Sequence, residues 1–168
     1  PLTLTGMFIL LYVTFGKFRQ AGLVLAIVPL ALFGGMLALN VRGMTLNVSS
    51  AVGFIAMFGL SIQNGIIMVS QVNGLRRGGM ELRKSVIEGA RQRFRPILMT
   101  SVTTILGLFP ASLATGIGSD VQRPLATVIV YGLMFSTFIS MFLLPVFYYL
   151  VENNVLNKKK NDEKEYAL

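Results

Sequence analysis

The sequence predicts an all-α, polytopic membrane protein, and three observations carry that reading. Its apolar residues gather into long blocks almost free of charge, where a water-soluble helix would carry them as a stripe. Most of these blocks approach the length that a ~30 Å hydrocarbon core requires. The composition agrees: of 168 residues, 54% are hydrophobic and 13% charged, and the mean hydropathy is +0.68, a balance foreign to soluble domains.

Five blocks are expected as transmembrane helices within a membrane region over 1–151, followed by a basic cytoplasmic tail over 152–168. The first, about 2–15, gives roughly 21 Å of helix at 1.5 Å per residue, which is short for a span. The others cover about 20–39, 49–72, 97–115 and 125–151. The last is long enough to tilt or protrude. The chain opens on Pro1 with no charged leader before the first block, and it reads as a piece of something longer.

Charge sets the orientation. Thirteen cations fall in alternate connections and the tail: Lys17, Arg19, Arg76, Arg77, Arg83, Lys84, Arg91, Arg93, Arg95, Lys158, Lys159, Lys160 and Lys164. Only Arg42 and Arg123 fall on the other side. The positive-inside rule then makes the first and third loops and the C-terminus cytoplasmic. A formal net charge of +8 could suggest nucleic acid, but these cations lie beside the spans, where anionic lipid is the nearer partner. No nucleic-acid partner is expected.

The connections carry two local signals. In MELRKSVIEGA, Met80, Leu82, Val86, Ile87 and Ala90 share one side of a helical wheel, which predicts a short interfacial helix over about 80–90. In GIGSDVQRP, Ser119 and Gln122 have capping-box spacing, but Pro124 offers a competing helix start. Asp120 and Arg123 could pair at the rim, where such a pair contributes little.

Several chemistries are excluded. With no Cys and no His, there is no thiolate or imidazole metal site and no base to activate the serines within the spans. Neither catalytic residues nor a cofactor are expected, and the nine Met residues are too scattered for a soft-metal site. The seven acids, Glu81, Glu88, Asp120, Glu152, Asp162, Glu163 and Glu165, lie outside the spans, so a proton relay would need residues from elsewhere.

The polar residues of the third span are the candidate site. Ser61, Asn64, Met68 and Gln71 step by three or four and share a face, with Gln63 and Ser70 on its flank. Exposing such amides to hydrocarbon is costly, so the sector should face other helices or a hydrated crevice. Gln63, Asn64 and Ser61 are therefore candidates for a proton relay or, equally, for contact between helices. Gly53, Gly59 and Gly65, with Gly34 and Gly35 on the second span, are expected at close helix approaches.

Three stretches carry a family resemblance: GFIAMFGLSIQNGIIMVSQVNGLRRGGM, then EGARQRFRPILMTSVTTILGLFPASLATGIGSDVQRPLATVIVYGL, then LPVFY. Together they resemble the C-terminal membrane region of resistance-nodulation-division efflux pumps of the cobalt-zinc-cadmium type, and the likeness runs from Pro1 to about Val151. The resemblance implies a bacterial inner-membrane, proton-driven antiporter of twelve spans, working as a homotrimer with a periplasmic adaptor and an outer-membrane channel. The five spans here resemble its eighth to twelfth helices. The partners implied are thus the lipid bilayer and the remaining helices and periplasmic domains of a parent transporter. Family members carry proton-binding carboxylates chiefly on the fourth helix and capture metal in periplasmic domains, and neither lies in this chain. Some relatives place an ionisable residue at or beside the positions of Gln63 and Asn64. Copper and silver pumps resemble this chain but carry an acid at Gln63, a departure that favours divalent zinc, cobalt, cadmium or nickel. The rival expectation is a stand-alone or truncated membrane scaffold without transport activity.

Overall fold

Five helices account for nearly all of residues 2–165, the part of the chain described by the computed structural model. They are α1 (Leu2–Phe15), α2 (Phe18–Val41), α3 (Val48–Arg77), α4 (Leu82–Leu113) and α5 (Ser119–Glu165). Pro1 and the end of the expected tail, 166–168, lie outside the described residues. The helices α2 to α5 are each long and apolar enough to cross a membrane. With 14 residues, α1 is shorter.

The turns are built for tight reversal. Gly16 (φ 63°) and Gly43 (φ 61°) take the left-handed conformation that a side chain resists, ending α1 and the turn after α2. At the start of α3 the Asn47 side chain accepts from the Ser50 amide at 2.8 Å, and Ser50 Oγ accepts from the Asn47 amide at 2.9 Å. This reciprocal box satisfies two amides that the helix geometry leaves free.

The helix α5 is the central element, packed against α2, α3 and α4, while α1 packs against α2. In the most apolar window of α5, 61% of residues are buried inside the protein, against 11% in α4. One side of α4 is therefore open, with Met99, Val102, Leu106 and Leu113 exposed.

Close approach depends on glycine where the geometry allows it. Gly53 lies against Leu125 and Val128 of α5, and Gly65 against Val24 of α2. Gly34 and Gly35 of α2 face Phe135 and Phe54. Gly59 does not follow the expectation, since a Cβ there would meet nothing within 4 Å. Six-residue spacing turns a helix by about 240°, so three such glycines cannot share a face.

Two local expectations are corrected. The segment read as a separate interfacial helix over about 80–90 is the start of α4, which runs unbroken from Leu82 to Leu113. It is drawn along α3: Gly89 lies so close to Val72 that an added Cβ would be 2.7 Å from Val72 Cγ2, and the Gln71 amide donates to Gln92 Oε1 at 2.6 Å. These contacts outweigh the backbone bond that Pro96 cannot make. At the other connection, α5 begins at Ser119 and contains Pro124. The Ser119 hydroxyl donates to the Gly116 carbonyl at 2.8 Å and makes no capping box. Asp120 and Arg123 form no ion pair among the described residues.

The glycine contacts give a testable difference. A Cβ at Gly34 would lie 2.5 Å from Phe135 Cβ, at the root of that side chain, so the helices must shift. Gly34→Ala should lower the stability of the purified protein by about 1–3 kcal/mol, whereas Gly59→Ala should be neutral or stabilising by up to about 1 kcal/mol. Thermal unfolding in detergent reads both, and equal midpoints for the two variants would refute this packing.

Candidate functional site

The polar sector of α3 is graded around the helix. Ser61 is buried and shares a hydrogen bond of 2.8 Å with Ser136 of α5. Asn64 and Gln71, turned toward α4, are half-buried, and Gln63 and Ser70 are exposed. The three sequence candidates therefore separate. Ser61 joins two packed helices, while Gln63 and Asn64 line a cleft of about 120 Å³ between α3 and α4. Among the described residues neither amide has a side-chain hydrogen-bond partner.

Across the cleft, α4 contributes Arg93, Ile97, Thr100, Ser101 and Thr104. These positions step by one, three or four and form one helical face. The guanidinium of Arg93 donates from Nη2 and Nε to Gln71 Oε1 at 2.7 and 3.1 Å, which aims a fixed cation along the α3–α4 seam. Ser101 bonds Thr137 of α5 at 2.7 Å, and Thr100 turns its hydroxyl back to the Pro96 carbonyl at 3.1 Å. The cleft thus combines two free amides, a held guanidinium and hydroxyls, and it holds no carboxylate. It can orient a proton donor or acceptor brought by another helix, but it cannot itself take up the proton.

The expected span over 97–115 leaves Arg93 among the cations of the third loop. Carrying the helical period through Pro96 would have aligned residues 93, 97, 100 and 104.

A second polar cluster lies where α1 turns into α2, beside the C-terminal end of α3. Glu152 of α5, 6% exposed, accepts from Lys17 Nζ at 2.7 Å and from Arg76 Nη1. Beside it Gln20 and Asn73 exchange amide bonds of 3.0 and 2.7 Å, and the Tyr148 hydroxyl donates to Asn73 Oδ1 at 2.6 Å. Hydropathy placed Glu152 at the start of the tail. What buries it is the continuation of α5 beyond 151, which carries the carboxylate back to two cations from other elements.

With this geometry in place, comparison with known proteins is decisive. Residues 1–152 match the model of the AcrB/AcrD/AcrF family. The chain belongs to that family. Among members with similar sequences, Protein HelA of Legionella pneumophila is 46% identical over 98% of this chain. The cobalt-zinc-cadmium resistance protein CzcA of Cupriavidus metallidurans is 43% identical over 89% of it, and the nickel and cobalt resistance protein CnrA of the same organism 44% identical over 80%. A crystal structure of a heavy metal efflux pump superposes with a TM-score of 0.82 at 52% identity over 91% of the chain. This chain spans about 15% of the length of HelA and of that pump, so within the AcrB/AcrD/AcrF family it corresponds to one membrane segment.

The clamp at Glu152 is testable. Glu152→Gln removes the charge shared by Lys17 and Arg76 and should cost about 1–2 kcal/mol of stability, the lower part of the range of about 1.5–3 kcal/mol for hydrogen bonds to charged groups, discounted because Lys17 is half exposed. Thermal unfolding in detergent should show a lower midpoint that is no longer sensitive to added salt. An unchanged midpoint would mean that the pair is incidental.

Proposed function

We propose that this chain is the C-terminal membrane segment of a proton-driven pump that exports divalent metal cations, and that its α3–α4 cleft forms one wall of the proton path. The observation that carries the reading is the open cleft itself. It brings Gln63, Asn64 and Arg93 together beside an unoccupied flank of the bundle and lacks only a group that titrates. A carboxylate on a helix outside this chain would complete it.

The roles follow from the chemistry of each group. An uncharged amide hydrogen-bonds either protonation state of an acid, so Gln63 and Asn64 hold the carboxylate in place without fixing its charge. Arg93 favours the ionised form when it is near and so promotes release of the proton. The hydroxyls of Thr100 and Ser101 give the path a polar lining that can keep water in a hydrocarbon environment. The export substrate is inferred from relatives named for cobalt, zinc, cadmium and nickel. The proposed assembly is a homotrimer in the bacterial inner membrane, with a periplasmic adaptor and an outer-membrane channel.

In the full-length transporter, Asn64→Leu should abolish or strongly impair metal resistance while expression and trimer assembly stay normal. Ile66→Leu on the same helix should be nearly silent. If Asn64→Leu lowers expression and assembly in proportion to resistance, the amide is a packing contact, worth about 0.6 kcal/mol in comparable cases, and the proton-path reading fails.

Orientation has its own test. With the basic residues inside, a reporter fused after Leu168 should be cytoplasmic and one inserted at Gly116 periplasmic. Finding both on the same side would overturn the proposed topology.

A further inference from the structure

The end of the bundle that carries the Glu152 clamp also carries a cleft with no part in the proton path. It measures about 280 Å³ and is lined by Phe15, Lys17, Gln20, Asn73, Arg76 and Arg77. Its charges do not balance. Lys17 and Arg76 share the single carboxylate of Glu152, and Arg77, exposed at the end of α3, has no ion pair among the described residues. Three cations against one acid leave an excess of two positive charges. Gln20 and Asn73 are occupied with each other and with Tyr148. An ammonium has three donors and a guanidinium five, so the two ion pairs leave several N–H groups available.

An oxyanion that accepts several hydrogen bonds suits this arrangement, and phosphate is the chemistry that guanidinium groups recognise best. The surroundings say what carries the phosphate. Leading away from the cleft along α1, Val13, Tyr12, Ile9 and Leu10 are exposed, and Phe18 at the start of α2 is 67% exposed. Phe18 stacks edge-on against Phe8, with ring centroids 4.9 Å apart. An apolar strip therefore runs from the cations toward the middle of the bilayer. A ligand with a phosphate at one end and acyl chains at the other matches both halves. A metal cation, by contrast, would be repelled. We propose that this cleft binds the phosphate of an anionic phospholipid, such as phosphatidylglycerol, with its chains laid along α1. The proposal does not depend on the export reading.

The test uses full-length protein in vesicles doped with phosphatidylglycerol that carries a photoactivatable acyl chain, with crosslinks mapped by peptide sequencing. Crosslinks should collect between residues 9 and 18 and should be several-fold weaker with the matching phosphatidylcholine. Arg77 lies outside the clamp, so Arg77→Gln should leave the fold intact. It should cut the phosphatidylglycerol yield at 9–18 about fivefold, the effect of one interfacial cation. Arg95→Gln, exposed on α4 and away from the cleft, should leave it unchanged, as should millimolar inorganic phosphate. Equal yields from the two lipids, or no loss with Arg77→Gln, would overturn the proposal. Full displacement by inorganic phosphate would overturn the lipid as the source and leave a site for the free anion.

Discussion

Helices in lipid have no hydrophobic effect to press them together, and this bundle meets that constraint by tying each neighbour to α5 with polar contacts and close packing. Along α5, Thr127 accepts from Arg42 at 3.0 Å, Ser136 bonds Ser61, Thr137 bonds Ser101, Tyr148 reaches Asn73, and Glu152 meets Lys17 and Arg76. Each bond is modest by itself. Their spacing along one helix means that α5 cannot slide against α3 or turn in place without breaking several at once.

The two ends of α5 are anchored differently. Near its start, Arg42 joins the end of α2 to the Ser112 carbonyl of α4 at 2.8 Å as well as to Thr127, and Ser49 donates to the Val121 carbonyl. Near its far end the anchor is ionic and draws on Lys17, in the turn between α1 and α2, and on Arg76 of α3. Between them, α4 is held along one side only. The bundle is tied together around α5 and open along the α3–α4 seam, the face on which the proposed proton path calls for another helix.

Much of this was legible in the chain. Each of the five apolar blocks falls on a helix of its own, because a block of apolar residues in a bilayer has no alternative to helix, but α4 starts well before residue 97 and α5 runs well beyond 151. The period of α3 gathers its polar residues into one sector, but burial within that sector is uneven, with Ser61 buried, Asn64 half-buried and Gln63 exposed. What escaped was decided by contacts distant in sequence. Pro96 and Pro124 carry local signals for a boundary, and only the packing of Gly89 on Val72 and the bonds from Gln71 to Gln92 and Arg93 explain why α4 continues. Glu152 reads as the first residue of a polar tail until Lys17, 135 positions away, supplies its partner. Gly53, Gly59 and Gly65 point in three directions about 120° apart, and it is tertiary packing that sets Gly53 against α5, Gly65 against α2 and Gly59 against nothing within 4 Å.

The unbroken course of α4 has a mechanical consequence. At 1.5 Å per residue its 32 residues make a rod of about 48 Å, well beyond the ~30 Å thickness of the hydrocarbon. Two helices joined by a loop would absorb a push at one end by bending the loop. A single rod transmits it as tilt, so a force on the arginine-rich end reaches the seam at Asn64 as a change in its width, with Pro96 and Pro110 the points along the lever where it can flex.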